Sequence, residues 1–337
     1  MTGNGATEAP LKAKDFKSDQ MVRWCPGCGD YAVLAALQSI LPTIGVPKEN
    51  IVIISGIGCS SRTPYYVDAY GFHTIHGRAP TIAAGVKVAN PELSVWIITG
   101  DGDALSIGGN HLIHTLRRNL DVNILLFNNR IYGLTKGQYS PTSEQGKHTG
   151  STPLGSLDPP FRPLSLALGA RATFVARTVD RFIPHMKEIL ERAAAHKGTS
   201  FVEVLQNCNI FNDGAFEEWT DKTTRSDRVV EVRHGERLVL GKDSDRAVAV
   251  SNGVPFVSRR MEEALAWDET EPSGARAYAI AQMEEDGEMP LPIGVFRCVD
   301  APTIETAIHD QVQEAQEAQP EAGLKDLLYT GGLWEVS

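Results

Sequence analysis

The length, composition and charge of the chain exclude several classes of protein. A chain of 337 residues, 42% of them hydrophobic, can bury the core of one large domain or two modest ones, and a net charge of −10 with no block of basic residues argues against a nucleic-acid partner. No leader pattern opens the chain and no apolar run is long enough to cross a bilayer, so we expect a cytoplasmic protein without membrane contact.

The first predicted element is a helix that follows a pair of cysteines. Residues 1–20 are polar without a sustained period, and we expect a flexible N-terminal arm or one that lies on a partner. Cys25 and Cys28 precede the apolar run Tyr31 to Leu41, which predicts a largely buried helix. The N-terminus of that helix offers partial positive charge and free N–H groups, which suit thiolates or a negatively charged cluster.

Buried parallel strands are predicted next. The runs Ile51 to Ser55, Val95 to Ile98 and Val122 to Phe127 are short and apolar without alternation, which is typical of strands covered on both faces. Helices are predicted between them at Thr81 to Ala89 and Ile107 to Arg118. The fold class is therefore α/β, a mainly parallel sheet flanked by helices.

Polar side chains follow two of these strands directly. Gly100-Asp101-Gly102 follows one strand and Asn129 the next. Ligands of an open parallel sheet bind outside the carboxyl ends of its strands, so we expect Asp101 and Asn129 to face one cleft. Carboxylate and amide oxygens suit Mg²⁺ when phosphate and water fill its other positions, and glycines admit the phosphate closely. The residues thus predict a magnesium-diphosphate site, with a plain βα turn as the alternative.

A long loop and a second α/β stretch complete the core domain. Residues 140–163 are dense in Pro, Gly, Ser and Thr, which is typical of an active-site or partner-contacting loop. Beyond it we predict a helix, a strand, a helix and a strand, at Leu164 to Leu168, Ala172 to Ala176, Asp180 to His196 and Phe201 to Leu205. The composition then turns charged, which predicts an arm (1–20), a core domain (21–213) and an extension (214–337).

The C-terminal extension is predicted to be of α+β type and to contact partners. Val229 to Val232 and Arg237 to Leu240 predict a hairpin, Gly294 to Val299 a strand and Ile304 to Glu317 a solvated helix. Cys298 lies in that strand, where we expect a core residue. We assign no chemistry to this part of the chain.

Four of the five cysteines are candidate ligands of one metal centre. Cys59 and Cys208 each leave a predicted strand at the edge where Cys25 and Cys28 precede a helix, so all four should converge beside the magnesium site. A C-x-x-C pair with two isolated cysteines fits structural zinc or an iron–sulfur cluster. The scattered positions of the third and fourth cysteines favour the cluster. Plain burial of Cys59 and Cys208 is the remaining alternative.

With these motifs in place, the chain resembles the β subunits of the 2-oxoacid:ferredoxin oxidoreductases, most of all the 2-oxoglutarate type. The motifs that carry the resemblance are Cys25-Pro26-Gly27-Cys28-Gly29-Asp30, Ser55-Gly56-Ile57-Gly58-Cys59-Ser60, His76-Gly77-Arg78-Ala79, Gly100-Asp101-Gly102-Asp103, Ile107-Gly108-Gly109-Asn110-His111 and Asn128-Asn129-Arg130-Ile131-Tyr132-Gly133-Leu134-Thr135. The resemblance covers roughly residues 20–215 and implies a thiamine diphosphate-binding domain of the pyrophosphate-binding type. One departure is Lys136, where similar sequences commonly carry glycine.

The resemblance also implies cofactors and their ligands. It implies a 4Fe-4S cluster on the four cysteines, and Mg²⁺ on Asp101, Asn129 and the backbone carbonyl of Ile131. The cofactor contacts that it implies are Cys59, Ser60, His76, Gly100, Asp101, Gly102, Asp103, Asn129, Ile131, Gly133, Leu134 and Thr135.

The implied reaction is oxidative decarboxylation of 2-oxoglutarate with coenzyme A, giving succinyl-CoA, CO₂ and reduced ferredoxin. Pyruvate and branched-chain 2-oxoacids are the alternative substrates. In the family, the glutamate that activates the aminopyrimidine ring belongs to the α subunit, so we expect the chain to be inactive alone. It should work in a heterotetramer, a dimer of αβ heterodimers.

Two residues are candidates for catalytic contacts. Arg62 is three residues past Cys59, and a guanidinium there could bind the substrate carboxylate bidentately. His76 is a candidate diphosphate or substrate contact. A surface arginine and a histidine hydrogen-bonded in a turn are the respective alternatives.

Two rival functions use the same residues. One is a non-redox thiamine enzyme subunit or a binding subunit in which the cysteines hold structural zinc. The other is an NAD-binding protein, which needs G-x-G-x-x-G after its first strand. Gly56-Ile57-Gly58-Cys59-Ser60-Ser61 lacks the third glycine, so the sequence disfavours the second rival.

Overall fold

The computed structural model describes residues 10–285, 289–320, 323–331 and 334–336. Its strands in chain order are β1 (Ile51–Ser55), β2 (Tyr70–His73), β3 (Ser94–Gly100), β4 (Asn123–Asn128), β5 (Phe174–Val179), β6 (Ser200–Leu205), β7 (Val229–Val232), β8 (Val239–Leu240), β9 (Arg246–Ser251), β10 (Val254–Ser258) and β11 (Leu291–Cys298). Its α-helices are α1 (Asp30–Ile40), α2 (Thr63–Tyr66), α3 (Ala79–Ala89), α4 (Asp101–Leu105), α5 (Gly109–Arg118), α6 (Pro163–Gly169), α7 (Ile183–Ala195), α8 (Glu217–Thr220), α9 (Arg225–Arg228), α10 (Ala275–Ala281), α11 (Ile304–Ala318) and α12 (Leu324–Leu328). Short 3₁₀ turns lie at Ala13–Phe16, Lys48–Asn50, Ser60–Arg62, Met261–Glu263 and Gln282–Glu285.

An eight-stranded sheet forms the centre of the structure, in the order β2-β1-β3-β4-β6-β5-β11-β7. Its neighbouring strands pair in parallel except β5 and β11, which are antiparallel. The predicted α/β class with a mainly parallel sheet is thereby confirmed. A separate three-stranded sheet has the order β10-β9-β8.

Helices cover both faces of the main sheet. On one face, α3, α5 and α6 pack against alternate side chains of the central strands, such as Ile97 of β3 and Ile124 of β4. On the other face, α1 and α7 cover their neighbours Trp96 and Leu125. Because the side chains on both faces of the sheet are buried, the sequences of these strands are continuous apolar runs without alternation.

The predicted elements of the core domain recur with small shifts of their bounds. The segment predicted as one helix from residue 107 is preceded by a separate short helix, α4, which begins at Asp101 itself. Edge strand β2 was missed from the sequence, because all four of its residues are exposed and it lacks a buried run.

The N-terminal segment is packed where the structure describes it. Phe16 is fully buried in the core. Its carbonyl and that of Tyr66 both accept hydrogen bonds from the buried amide of Gln38. A free arm is therefore wrong for residues 10–20, because Phe16 fills space beneath α1, and residues 1–9 lie outside the described residues.

The hairpin predicted in the extension is wrong. β7 pairs in parallel with β11 at the edge of the main sheet, whereas β8 pairs antiparallel with β9 in the small sheet. A short apolar pattern determines which face of a strand is buried, but not which strand it pairs with. The extension thus adds two strands to the main sheet, and the boundary at residue 213 stays a prediction.

The strand and the solvated helix predicted in the extension are found in the structure, whereas its contact with partners stays a prediction. The predicted strand corresponds to β11, in which Cys298 is partly buried and packs against the core. The predicted solvated helix corresponds to α11, which is exposed except near its start, where Glu305 accepts a hydrogen bond from the amide of Asp121. Among the described residues, no helix is long and apolar enough to span a membrane.

A fully buried ion pair crosses the middle of the sheet. Arg177 of β5 and Glu203 of β6 are register partners, and Nε of the arginine lies 2.7 Å from Oε2 of the glutamate. The other carboxylate oxygen of Glu203 accepts a hydrogen bond of 2.7 Å from the side-chain amide of Asn128. The pair is therefore well hydrogen-bonded, as a charge in a buried strand must be.

Glu203→Ala should lower the free energy of unfolding by about 3–5 kcal/mol, because it removes the carboxylate from a fully buried ion pair. Glu188→Ala is the matched control, since it removes a carboxylate from Arg233 in a pair whose side chains are 43% and 39% exposed. The free energy of unfolding should fall by less than about 1 kcal/mol in Glu188→Ala. Urea denaturation followed by circular dichroism measures both, and equal losses would contradict the assignment.

Candidate active site

A cavity of about 510 Å³ opens at the carboxyl ends of β1, β3 and β4. Every predicted cofactor contact except Gly133 lines it. Those lining residues are Cys59, Ser60, His76, Gly100, Asp101, Gly102, Asp103, Asn129, Ile131, Leu134 and Thr135. The predicted cleft therefore exists, and the roles of these residues stay predictions.

Asp101 is the buried carboxylate of the cavity. It is 3% exposed, and its Oδ2 lies 2.5 Å from the hydroxyls of both Ser140 and Thr142, in the long loop. Burial raises the pKa of Asp101 to about 6, against the lowering effect of these hydrogen bonds. At neutral pH the group is a carboxylate whose orientation the loop hydroxyls hold.

Asn129 lies at the end of the neighbouring strand. Its Oδ1 accepts a hydrogen bond of 3.2 Å from the amide of Ile131, and its Nδ2 donates one of 3.0 Å to Oε1 of Gln206. Asn129 and Asp101 line the same cavity, so their predicted convergence is confirmed. The parallel pairing of β3 with β4 brings them together.

Asp103 lines the cavity, and its side chain also links two loops by hydrogen bonds. Its Oδ1 accepts hydrogen bonds from the amides of Ile57 at 3.1 Å and Gly77 at 2.7 Å, and its Oδ2 accepts one of 2.8 Å from Thr99. A side chain at Gly56 would clash, because its Cβ would lie 1.8 Å from that Oδ2. Asp103 therefore positions the loops that follow β1 and precede α3.

The loop after Asn129 is held tightly over the cavity. The hydroxyl of Tyr132 donates a hydrogen bond of 3.2 Å to the carbonyl of Gly102. A Cβ on Gly102 would lie 2.1 Å from the tyrosine ring, so this position admits only glycine without a shift. Lys136, the departure from similar sequences, has a φ of 77°, in the left-handed region that favours glycine.

Two of the four predicted cysteine ligands border this loop. A Cβ on Gly133 would lie 3.5 Å from Sγ of Cys208 and 3.7 Å from Sγ of Cys59, so both sulfurs border the same point of the backbone. Cys28 interacts electrostatically with Cys59 and Cys208, and Cys59 with Cys25. Cys59 and Cys208 therefore lie close together, whereas the meeting of all four cysteines at one centre and their role as ligands stay predictions.

The half-buried cysteines lie beside the buried carboxyl group of Asp30. Burial, with the charge of Asp30, raises the pKa of the Cys28 thiol far above its usual value and that of Cys59 to about 12. Asp30 is 1% exposed, and burial, with the charge of Asp180, raises its own pKa to about 7. One oxygen of Asp30 is buried without a hydrogen-bond partner among the residues that the structure describes. The thiols of Cys28 and Cys59 therefore keep their protons until a metal displaces them.

The candidate ligands differ in how well they suit the metals that the motifs imply. Within the described ranges, no three His, Cys, Asp or Glu side chains are gathered so as to hold a metal ion. Zinc needs its ligands about 2.3 Å from one centre, whereas a 4Fe-4S cluster distributes four cysteines over four irons. The two oxygens of Asp101 and Asn129 fit a magnesium ion that is completed by phosphate and water.

The two catalytic candidates differ in position. His76 is exposed and lines the cavity. Arg62 is half-buried and is not among the described residues that line it. Instead its positive charge acts to lower the pKa of Cys59, so Arg62 lies beside the cysteines.

Sequence reasoning missed several residues that support the site. Ser140 and Thr142 hold Asp101, and Gln206 holds Asn129. Gln206 had a readable signal, because it follows β6 directly, as Asn129 follows β4. No comparable signal exists in the sequence for Ser140 and Thr142, because only the path of the folded loop brings their hydroxyls to the carboxylate of Asp101.

Comparison with known proteins gives one family match. Residues 56–204 match the family described as "Thiamine pyrophosphate enzyme, C-terminal TPP binding domain". This range contains the segments that follow β1, β3 and β4 at the cavity.

Two relatives illustrate the similarity in sequence. The 2-oxoglutarate oxidoreductase subunit KorB of Mycobacterium tuberculosis is 52% identical, with 99% of this chain and 91% of that protein covered. The β subunit of 2-oxoacid:ferredoxin oxidoreductase 1 from Aeropyrum pernix is 46% identical, with 59% of this chain and 62% of that protein covered.

A solved structure is similar over almost the whole chain. It is the 2-oxoglutarate:ferredoxin oxidoreductase from Magnetococcus marinus, with 2-oxoglutarate, coenzyme A and succinyl-CoA bound. The TM-score is 0.76 at 30% identity, with 96% of this chain and 97% of that chain covered.

Asp101→Asn should weaken the Mg²⁺-dependent binding of thiamine diphosphate by at least about tenfold, because it removes the anionic oxygen ligand. Asp310→Asn, on the exposed surface of α11, is the matched control and should bind normally. Isothermal titration calorimetry with and without Mg²⁺ measures both. Unchanged Mg²⁺-dependent binding in the Asp101 variant would contradict the assignment.

Proposed function

The chain belongs to the β subunits of the 2-oxoacid:ferredoxin oxidoreductases, and from this premise we propose that it carries the thiamine diphosphate and the iron–sulfur cluster of a 2-oxoglutarate enzyme. The reaction is oxidative decarboxylation of 2-oxoglutarate with coenzyme A to succinyl-CoA and CO₂, with ferredoxin as the electron acceptor. Identity of 52% along nearly the whole chain to a 2-oxoglutarate subunit supports this substrate over pyruvate or branched-chain acids.

One observation carries the proposal, namely that a single loop borders both predicted centres. Asn129 at its start lines the cavity, and Gly133 a few residues later lies against the sulfurs of Cys59 and Cys208. A redox centre next to a diphosphate site allows electrons to leave the substrate without crossing the protein. A purely structural metal needs no such proximity.

The chain's own residues bind and orient the cofactors. Thiamine diphosphate, when bound, would supply the electron sink for decarboxylation, and a cluster held by the cysteines would supply a one-electron acceptor. Asp101 and Asn129 would hold Mg²⁺, with the carbonyl of Ile131 as the third protein ligand. Asp103 holds the loops around Ile57 and Gly77 in place, so that the cavity keeps its shape.

The cysteines place the cluster near the surface. Cys25 is exposed, while Cys28, Cys59 and Cys208 are half-buried. We infer that ferredoxin docks on the Cys25 side, where the electron path to solvent is shortest.

Arg62, beside the cysteines, also offers a guanidinium to a substrate carboxylate. A cytoplasmic setting, which keeps thiols reduced, fits this chemistry.

The α subunit is proposed to cover the surface formed by β2 and α3, next to His76 of the cavity. Edge strand β2 is exposed throughout, and large apolar side chains surround it. Tyr70 is 65%, Phe72 49% and Ile75 70% exposed. An exposed strand edge with an apolar patch marks an interaction surface. The αβ unit would double into a heterotetramer.

Cys208→Ser should remove the brown visible absorbance of the anaerobically purified complex and lower its iron content, because a cluster ligand is lost. Cys298→Ser is the matched control, since Cys298 lies at the far end of β11 from the site. Metal analysis with visible spectroscopy measures both. Zinc without iron in the wild-type complex would contradict the proposal and favour the non-redox alternative.

Steady-state assays with the α subunit test the reaction. The complex should reduce ferredoxin with 2-oxoglutarate and coenzyme A in preference to pyruvate or a branched-chain acid, and the lone chain should be inactive. Arg62→Ala should raise the KM for the acid about 10- to 100-fold, as expected for one charge-assisted hydrogen bond. Arg259→Ala, an exposed arginine, is the control. An unchanged KM in the Arg62 variant excludes that role, and full turnover by the lone chain would overturn the αβ requirement.

A further inference from the structure

We propose that Gln206 is a positioning residue that links the magnesium site to the iron–sulfur site. Gln206 follows β6 directly and is 1% exposed. Its side chain lies between Asn129, a predicted Mg²⁺ ligand, and Cys28, a predicted cluster ligand. The inference rests on the proposed function and deepens it.

The two ends of the amide have different partners. Oε1 accepts a hydrogen bond of 3.0 Å from Nδ2 of Asn129. Nε2 donates to the carbonyl of Asn207 at 2.5 Å and to Sγ of Cys28 at 3.4 Å. One side chain therefore contacts both predicted ligand sets.

The orientation of the amide follows from its neighbours. The backbone amide of Ile131 donates to Oδ1 of Asn129, so Nδ2 of that asparagine is the end that faces Gln206. Gln206 must therefore present its oxygen there and its NH₂ group to Asn207 and Cys28, both of which can accept. The same arrangement leaves Oδ1 of Asn129 as the atom available to Mg²⁺.

The surrounding backbone holds Gln206 in this place. Its own amide donates a hydrogen bond of 2.9 Å to the carbonyl of Asn128, and the amide of Gly29 donates one of 3.2 Å to the carbonyl of Asn207. Gly29 leaves room for the side chain, because a Cβ there would lie 3.0 Å from Cγ of Gln206 and 2.0 Å from Oδ2 of Asp180. These hydrogen bonds and close contacts hold the turn that contains Cys28 and the end of β6 against Gln206.

Each contact has a chemical consequence. A thiolate bound to iron has no proton, so an N–H donor complements it and draws electron density from the cluster, which makes the cluster easier to reduce. The contact with Asn129 fixes the amide oxygen toward the cavity and strengthens Mg²⁺ binding. Because one side chain makes both contacts, Mg²⁺-diphosphate binding and the cluster potential should be thermodynamically coupled.

Gln206→Met tests the link, because methionine has similar volume but makes neither contact. In the anaerobically purified complex with full cluster content, the midpoint potential should become more negative, and Mg²⁺ affinity in the presence of thiamine diphosphate should fall about 10- to 100-fold. If binding of thiamine diphosphate shifts the midpoint potential of the cluster in the wild-type complex, that shift should be smaller in the Gln206→Met complex. Redox titration followed by electron paramagnetic resonance measures the potential, and calorimetry measures the affinity.

Gln38→Met is the matched control. Gln38 is a buried glutamine of α1 whose amide donates to the carbonyls of Phe16 and Tyr66. It should lower stability without moving the potential. A potential in the Gln206 variant that moves no more than in the Gln38 variant would overturn the inference.

A measurement on the wild-type complex decides the question if the Gln206 variant does not assemble. With glutamine side-chain amides labelled with ¹⁵N, pulsed electron paramagnetic resonance of the reduced cluster should detect one hyperfine-coupled nitrogen, and its absence would refute the link. A wild-type complex without iron would instead refute the proposed function, and the inference with it.

Discussion

The parallel pairing of β3, β4 and β6 is the constraint on which the site depends. Gly100 of β3 pairs with Phe127 of β4, and Asn128 of β4 pairs with Leu205 of β6. Asp101, Asn129 and Gln206 therefore follow three adjacent strands at one edge, where strand ends meet in parallel sheets. Cys208 follows two residues later, which places the cysteine site beside the cavity. A change in that register would separate all of these groups.

A buried polar chain connects the centre of the sheet to this edge. The pair of Arg177 and Glu203 continues through the side-chain amide of Asn128 to the hydroxyl of Thr142 at 2.8 Å. That hydroxyl also lies 2.5 Å from Oδ2 of Asp101, although its single proton serves one acceptor at a time. Burying these groups is expensive unless each has a partner, so the chain holds the loop and the carboxylate in one arrangement.

The cavity has a closed side and an open side. The turns after β4 and β6 close it toward the cysteines, with Gly133 against two sulfurs. On the opposite side, β2 leaves an unpaired strand edge and exposed aromatic side chains next to α3. This chain provides many of the predicted contacts to the cofactor and the cluster. The asymmetry of the cavity explains why the chain is still expected to need a second subunit.

The sequence by itself determined the fold class, the buried strands and the residues that meet at the cavity. Those features depend on local patterns, since an apolar run shows that a strand is buried on both faces and Asp101 and Asn129 stand directly after such runs. Tertiary structure alone decided the partners of β7 and β8, the burial of Phe16, and the hydrogen bonds that Ser140, Thr142 and Gln206 make to the site. The physical reason is that pairing and hydrogen bonding between distant segments depend on where the whole chain packs, and no local pattern carries that information.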